Sequence, residues 1–222
     1  MTDATNETSW LEAGRGGPGI ILCHAWWGLS EGVRAIGRTL ADAGFLVVMP
    51  DLYAGQSTHS IEEANQLRTA FPPEIMQARF DAAVQHLLDH PARQPGKIGA
   101  VGLSLGAEWA LGLVTSHPAD VPAAVLYYGA SDPDGVPGEG LACLGHWAEN
   151  DDYEDQEYIV ALRDGLVAAG ADVDFHTYPG TGHWFAESDI STAYDPAAAS
   201  LALDRTVAFL REHLQPSDPA AS

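Results

Sequence analysis

The chain has 222 residues, of which 46% are hydrophobic, and its formal net charge at pH 7 is −21. A chain of this length and apolar content can bury one large core, so we expect a single domain over residues 1–222. The strong negative charge and the single lysine argue against a surface that binds nucleic acid or an anionic membrane.

Short apolar runs alternate with amphipathic segments along the chain. The runs are rich in β-branched residues, as buried strands are, and the segments repeat apolar residues at helical spacing. In chain order, the predicted elements are an edge strand near 9–13, strand 19–24, helix 31–43, strand 45–49, helices 61–69 and 74–88, strand 98–101, helix 107–114, strands 121–128 and 141–147, helix 158–169, strand 173–178 and helix 196–214. This order predicts a three-layer α/β sandwich around a mostly parallel central sheet, with loosely ordered tails at 1–17 and 215–222.

The cysteines and the first residues bear on the cellular compartment. Cys23 and Cys143 are the two cysteines, both lie in apolar runs, and no C-x-x-C spacing exists, so we expect neither a disulfide framework nor a zinc site. The acidic start, MTDATNETSWLEAG, lacks the basic and apolar regions of a signal peptide, and no apolar run is long enough for a membrane span. We therefore expect a cytoplasmic protein.

The segment KIGAVGLSLGAEW, residues 97–109, contains the pattern G-x-S-x-G, with Ser104 between Gly102 and Gly106. The serine falls where a predicted strand changes to a predicted helix, which is the context of a nucleophile elbow. Such a sharp turn strains the backbone of the serine and leaves no room for a side chain at either glycine. An ordinary glycine-rich turn can carry the same letters, so the interpretation depends on the other loops.

Loops at the carboxyl ends of parallel strands collect at one edge of the sheet. Three such loops accompany the serine turn: HAWWG after the first buried strand, AENDDYED after the fifth core strand and PGTGHWF after the sixth. The resulting chain order of Ser, acid and His is the order found in α/β-hydrolases. We therefore expect these loops to form one catalytic site.

Two of these loops offer the base and the acid that a serine nucleophile needs. His183 alone among nine histidines fits both the loop context and the chain order, so it is the candidate general base. The acid that orients it is left open by the loop itself, which contains Asp151, Asp152 and Asp155. Asp132, in the preceding loop, is a weaker candidate for the same role.

The negative oxygen formed by attack on a carbonyl needs hydrogen-bond donors that are already in place. The backbone N–H of Leu105, directly after the serine, is expected to be one donor. The second is expected to come from the backbone of Ala25 or Trp26 in the HAWWG loop.

Aromatic residues near these loops predict an apolar substrate pocket. The candidates are Trp26, Trp27, Tyr53 and Trp184, each of which can alternatively be part of the core. Glu108 lies one helical turn after Ser104 and is expected to face solvent or to join a local hydrogen-bond network, with substrate polarisation as the alternative.

Four segments, GLSLGA, PDLYAG, AENDDYE and YPGTGHWF, resemble the dienelactone hydrolase family of α/β-hydrolases in sequence and order, and the likeness extends over about residues 19–214. The resemblance implies an α/β-hydrolase fold with a minimal lid or none. It places the base on His183 and the acid on Asp151, with Asp152 as the next choice. The founding family members carry a cysteine nucleophile where this chain has Ser104, and a glutamate where it has Ala25, so the resemblance points to ester hydrolysis before dienelactone hydrolysis.

These patterns together predict a hydrolase that cleaves a small carboxylic ester or lactone through an acyl-enzyme on Ser104, with His183 as base and Asp151 as its partner. The chemistry needs neither a metal nor an organic cofactor. The alternatives are a thioesterase or peptidase with the same triad, and a catalytically silent binding protein of the same fold. The expected partner is the small-molecule substrate, without nucleic acid or membrane, and the chain is expected to be a monomer or a homodimer.

Overall fold

Strands and helices alternate along residues 9–214, which is the part of the chain that the computed structural model describes. The strands are β1 (Trp10–Ala13), β2 (Gly17–Cys23), β3 (Leu46–Pro50), β4 (Arg93–Leu103), β5 (Ala123–Tyr127), β6 (Ala142–Asn150) and β7 (Asp172–Gly182). The helices are α1 (Glu31–Asp42), α2 (Ile61–Ala70), α3 (Pro73–Asp89), α4 (Gly106–Ser116), α5 (Gln156–Ala168) and α6 (Pro196–His213).

The seven strands form one sheet in the order β1-β3-β2-β4-β5-β6-β7. The edge strand β1 runs antiparallel to β3, and every other pairing is parallel. Buried side chains of α1 and α6 pack on one face of the sheet, and those of α3, α4 and α5 pack on the other. The predicted three-layer α/β fold with a mostly parallel sheet is therefore confirmed.

Strand β2 shows why the sequence forms this sheet. Ile20 and Leu22 point into the layer with α1 and α6, whereas Ile21 and Cys23 point into the opposite layer. Because both faces are covered, the strand is apolar at successive positions and shows no polar alternation. Helix α1 begins where expected, since the Ser30 hydroxyl accepts a hydrogen bond from the Val33 N–H at 3.5 Å.

The structure extends two strands beyond their predicted ends. The sequence pattern ends them at residues 147 and 178, where the apolar runs stop, but β6 continues to Asn150 and β7 to Gly182. The added residues pair with one another, and Asn150 lies opposite Gly182. Polar residues occupy these extensions because backbone pairing, and not burial of side chains, holds them in the sheet.

The N-terminal segment confirms the predicted edge strand near residues 9–13 and corrects the expectation of a loose tail around it. Within the tail expected to be loose, residues 1–17, the residues Trp10–Ala13 form β1 and pair with β3 from Trp10↔Pro50 to Ala13↔Val47. The rest of the predicted loose tails, residues 1–8 and 215–222, lies outside the described residues. The single-domain assignment stays a prediction, and no helix within residues 9–214 combines the length and apolar character needed to cross a membrane.

Two glycines of α4 differ in the space around them and provide a matched test of the packing. A Cβ on Gly106 would lie 2.5 Å from the Cys23 carbonyl oxygen, whereas one on Gly112 would meet nothing within 4 Å. We expect Gly106→Ala to lower the free energy of unfolding by about 1–3 kcal/mol, because the end of β2 must move. Gly112→Ala should instead raise it by about 0.5–1 kcal/mol through helix propensity.

Urea unfolding followed by circular dichroism measures both changes. Equal stability of the two variants would contradict the close approach of α4 to the end of β2.

Candidate active site

The carboxyl ends of three parallel strands deliver the three candidate catalytic side chains. Ser104 follows β4 directly, Asp151 follows β6 and His183 follows β7. The loop that begins at His24 follows β2 on the other side of β4. The side chains predicted from separate loops therefore meet at one edge of the sheet, as expected for an open parallel sheet.

The turn between β4 and α4 holds Ser104 in the left-handed region of backbone conformations, with φ at +50°. The Ser104 N–H donates to the Tyr127 carbonyl at 2.8 Å, and the Ser104 carbonyl accepts from Ala107 at 2.8 Å. A Cβ on Gly102 would lie 2.2 Å from the Gly106 carbonyl oxygen, so a side chain there is excluded. Such backbone strain is typical of functional sites and presents the serine hydroxyl at the top of the sheet.

A chain of hydrogen bonds joins the three side chains. Ser104 Oγ lies 2.8 Å from His183 Nε2, and His183 Nδ1 lies 2.8 Å from both carboxylate oxygens of Asp151. The Asp151 Oδ1 atom also accepts the N–H groups of Tyr153 at 2.9 Å and Glu154 at 3.0 Å. A carboxylate at Nδ1 favours the tautomer whose Nε2 is free to accept the serine proton.

The histidine and the carboxylate are almost shielded from water. The exposed fraction is 4% for the His183 side chain and 1% for that of Asp151. The rings of Tyr128, Tyr153 and Trp184 surround the imidazole, with centroid distances of 5.1, 5.3 and 4.7 Å. This packing restricts the imidazole to one orientation and strengthens its electrostatic interaction with the carboxylate.

The other carboxylates considered from the sequence have different surroundings. Asp152 lines a neighbouring groove, Asp155 is the N-cap residue of α5, and Asp132 accepts the Asp134 N–H at 2.9 Å. Asp151, in contrast, directly follows Asn150, which pairs with Gly182. Because His183 directly follows Gly182, this pairing places Asp151 beside His183.

A cavity of about 270 Å³ opens beside the serine hydroxyl. Its lining combines aromatic and charged side chains with the triad and consists of Trp26, Arg68, Ser104, Leu105, Glu108, Ala130, Ser131, Tyr153, Glu154, His183 and Trp184. A concave site with a few polar groups at a reactive side chain is the usual form of a small-molecule site.

Only two of the four aromatic residues predicted to bind substrate line this cavity, namely Trp26 and Trp184. Trp27 is 2% exposed and packs on Trp184 at a centroid distance of 4.7 Å. Tyr53 is fully buried and lies against His24. Trp27 and Tyr53 therefore support the site from the core, which is the alternative that the sequence left open.

The model of the dienelactone hydrolase family matches residues 10–214. The chain belongs to this family. The family resemblance of the four sequence segments is thereby confirmed. The side chains of Ser104, His183 and Asp151 are positioned by the fold of this family.

Proteins with similar sequences match nearly the whole chain. A protein named usf from Aquifex pyrophilus is 28% identical over 207 residues, which cover 90% of each chain. The carboxymethylenebutenolidase of Pseudomonas putida is 29% identical over 205 residues, covering 87% of this chain and 85% of that enzyme. Among solved structures, a dienelactone hydrolase-like promiscuous phosphotriesterase from metagenomic libraries superposes with a TM-score of 0.78 at 20% identity, covering 89% and 87% of the two chains.

The PDLYAG segment that helped to indicate the dienelactone hydrolase family holds the loop after β2. The Asp51 carboxylate accepts the N–H groups of Tyr53 at 3.2 Å and Gly55 at 2.5 Å, which closes the PDLYAG turn. The Leu52 N–H donates to His24 Nε2 at 3.3 Å. The turn therefore fixes the start of the loop that contains Ala25 and Trp26.

The candidate oxyanion donors belong to two adjoining segments, the loop after β2 and the start of α4. The end of β2 packs against α4, since a Cβ on Gly106 would lie 2.8 Å from the His24 carbonyl oxygen. Within residues 9–214, the backbone N–H groups of Ala25, Trp26 and Leu105 donate to no protein acceptor. Trp26 and Leu105 line the cavity, whereas Ala25 is fully buried.

Sequence reasoning missed Arg68 and Glu154 on the cavity wall. Arg68 belongs to α2, in which Ala64 is the single buried residue. The sequence of α2 therefore has the pattern of a solvent-exposed surface helix. Glu154 lies in the acidic loop, and its carboxylate accepts the Ala130 N–H at 2.9 Å. Burial raises the pKa of Glu154 to about 7; the bond from Ala130 opposes this shift, and the charges of Asp151 and Asp155 add to it.

A second buried carboxyl group lies behind the triad. Glu187 is completely buried and accepts a hydrogen bond from the Tyr128 hydroxyl at 3.1 Å, and the Tyr128 ring packs on His183. Burial raises the pKa of Glu187 to about 8; the Tyr128 bond opposes this shift, and the charge of Asp189 adds to it. Glu187 is therefore a protonated acid within the core at neutral pH.

This buried acid predicts a pH dependence of stability. Folded protein keeps the Glu187 proton up to about pH 8, whereas the unfolded chain releases it near pH 4.5, so the folded state loses stability as pH rises through this window. Glu187→Gln cannot ionise. We expect its free energy of unfolding, relative to that of the natural protein, to rise by a few kcal/mol between pH 4.5 and pH 8.

Urea unfolding at several pH values measures this difference, in which the titration of all other groups cancels. A difference that does not change with pH would show that Glu187 is ionised in the folded protein.

Proposed function

We propose that this protein hydrolyses small carboxylic esters or lactones through an acyl-enzyme on Ser104. The observation that carries the proposal is the hydrogen-bond chain from Ser104 through His183 to Asp151, with the serine at the wall of a cavity. Membership of the dienelactone hydrolase family supports it. The triad as a catalytic unit is our proposal, as is its use on esters.

In the first half of the proposed reaction, His183 Nε2 takes the hydroxyl proton of Ser104 while Oγ attacks the carbonyl carbon. Asp151 stabilises the imidazolium that forms. The oxygen of the tetrahedral intermediate accepts hydrogen bonds from the Leu105 N–H and from the N–H of Ala25 or Trp26. When the intermediate collapses, His183 gives the proton to the leaving alkoxide and the acyl group stays on Ser104.

In the second half, a water molecule attacks the acyl-enzyme. His183 takes a proton from the water and returns it to Ser104 Oγ as the acid is released. None of these proposed steps uses a metal or an organic cofactor.

Within this class, we propose that neutral esters are preferred. The carboxyl groups of Glu108 and Glu154 line the cavity of about 270 Å³ together with one cation, Arg68. Like charges disfavour an anionic substrate, and the overall charge of −21 acts in the same direction. The small cavity favours a small acyl or alcohol group.

A second candidate is a lactone that carries a carboxylate. The name of the Pseudomonas putida relative, carboxymethylenebutenolidase, describes such a substrate for that enzyme. The observation that favours this candidate here is Arg68, whose guanidinium can pair with a carboxylate. The two candidates differ in whether the cavity favours a neutral or an anionic substrate.

Substitution of the triad tests the reaction itself. We expect Ser104→Ala and Asp151→Asn each to lower kcat by at least about 10³-fold on p-nitrophenyl esters. Asp152→Asn, its neighbour in the same loop, is the matched control and should stay within a few-fold of the natural protein. Circular dichroism checks that each variant is folded.

Assays with p-nitrophenyl esters, lactones, acyl-CoA thioesters and peptides on the same samples separate ester hydrolysis from thioesterase and peptidase activity. A folded natural protein without activity would favour a silent binding protein. Loss of activity in Asp152→Asn but not in Asp151→Asn would contradict the assigned acid.

The charge preference is tested by a matched pair of substrates, p-nitrophenyl butyrate and p-nitrophenyl hemisuccinate, which differ in a terminal carboxylate. Glu154 gains a negative charge as pH rises through about 7, so the ratio of kcat/KM for the anionic to the neutral ester should fall between pH 6 and pH 8. We expect a fall of about 3- to 10-fold, which Glu154→Gln should largely remove.

The ratio cancels the titration of groups that act on both esters alike, including the catalytic base. A preference for the hemisuccinate that Arg68→Gln abolishes would instead support the carboxylate-bearing lactone.

A further inference from the structure

Three metal-ligating side chains meet at the sheet edge formed by β1. Glu12 Oε2 lies 2.9 Å from His86 Nε2 and 3.3 Å from His90 Nε2. One potential ligand atom from each side chain lies within 4.8 Å of the others, and no other such group of three His, Cys, Asp or Glu side chains occurs within residues 9–214. None of the three residues takes part in the proposed ester chemistry.

The fold brings these ligands together from two elements. His86 lies in the last turn of α3, and His90 is the C-cap residue directly after the end of this helix. Their ring centroids are 5.3 Å apart. Glu12 lies on β1, where it pairs with Val48 of β3. The Trp10 ring stacks on the His86 ring with centroids 4.4 Å apart, which restricts the orientation of one ligand.

The ligands are accessible from solvent without being fully exposed. The exposed fractions of the Glu12, His86 and His90 side chains are 33%, 30% and 17%. An ion can therefore reach the cluster from solvent. Because the side chains are partly buried, fewer water molecules compete with them for binding to the ion. The overall charge of −21 raises the local concentration of divalent cations around the protein.

We propose that Glu12, His86 and His90 form a binding site for a divalent transition-metal ion, with Zn²⁺ as the best fit. Two imidazole nitrogens and one carboxylate oxygen are a common donor set for Zn²⁺, which completes its tetrahedron with water. Ligand atoms around a tetrahedral Zn²⁺ ion lie about 3.4 Å apart. The observed separations of 2.9 and 3.3 Å therefore require small side-chain movements.

The ion replaces the hydrogen bond between His86 Nε2 and Glu12 Oε2, and a second hydrogen bond must open for the complete site to form. The Ala92 N–H donates to His90 Nδ1 at 3.2 Å, which leaves the ring proton of neutral His90 on Nε2. When the metal binds Nε2, that proton moves to Nδ1 through solvent and the Ala92 N–H turns to water. Ala92 is exposed, so water can reach its N–H group.

The consequence of metal binding is a link between the edge strand and the helix behind it. Strand β1 has four residues and pairs with one neighbour only, β3. A metal ion held by Glu12 and the two histidines joins β1 to α3 and stabilises the folded state by mass action.

Thermal unfolding with and without Zn²⁺ tests the site in the full chain after chelator treatment and removal of the chelator. We expect a saturable rise in Tm of about 5 °C at a free Zn²⁺ concentration 100-fold above Kd. Glu12→Gln and His90→Gln should each lose most of this rise. His59→Gln is the control, since His59 pairs with Asp189 at 3.0 Å and belongs to no such cluster.

Competition with a chromophoric chelator gives a second readout on folded protein, independent of unfolding. The natural protein and His59→Gln should each bind one Zn²⁺ ion above the background that a His86→Gln, His90→Gln double variant shows. The proposal is overturned if the natural protein shows no saturable rise in Tm, or if Glu12→Gln and the double variant bind Zn²⁺ as the natural protein does.

Discussion

The hydrogen bond between Asp151 and His183 depends on how β6 pairs with β7. Asn150 lies opposite Gly182 at the ends of these parallel strands. The residue directly after β6 is the acid, Asp151, and the residue directly after β7 is the base, His183. Residues 32 positions apart in the chain are thereby placed side by side without a long flexible loop. A slip of one residue in either strand would turn that side chain to the opposite face of the sheet. The register of this strand pair is therefore the main constraint on the site.

Three carboxyl groups lie in the region of the triad, and their hydrogen-bond donors distinguish them. Asp151 accepts two backbone N–H groups and the His183 ring, whereas Glu154 accepts one backbone N–H and Glu187 one hydroxyl. Burial with few donors raises the pKa of Glu154 to about 7 and that of Glu187 to about 8, so Glu187 holds its proton at neutral pH whereas Glu154 titrates near it. The three carboxyl groups therefore differ in their hydrogen-bond donors, and the protonation of Glu154 and Glu187 sets the charge in the cavity and in the core.

The sequence predicts the sheet and the three loops well because these depend on local patterns. Apolar runs define the strands, and the glycines around Ser104 define the turn. The ends of β6 and β7 were less predictable, since polar residues such as Asn150 are held there by pairing with a distant strand.

Contacts between residues that lie far apart in the chain could not be predicted from local sequence patterns. The surface-like helix α2 gives no sign that Arg68 reaches the cavity, and the burial of Tyr53 and Trp27 depends on neighbours from other elements. Glu12 and His86 lie 74 positions apart and meet only because β1 joins the sheet edge next to α3. In each case, the surroundings of the residue depend on tertiary packing, which the spacing of residues along the chain does not predict.

The central claim is that Ser104 is a nucleophile activated by His183, and covalent labelling tests it most directly. The folded protein is treated with a fluorophosphonate, its intact mass is measured, and the modified residue is located by peptide mapping. We predict one phosphonyl group per chain, on Ser104, and no labelling of folded Ser104→Ala. A folded natural protein that stays unlabelled, or equal labelling of Ser104→Ala, would contradict the claim.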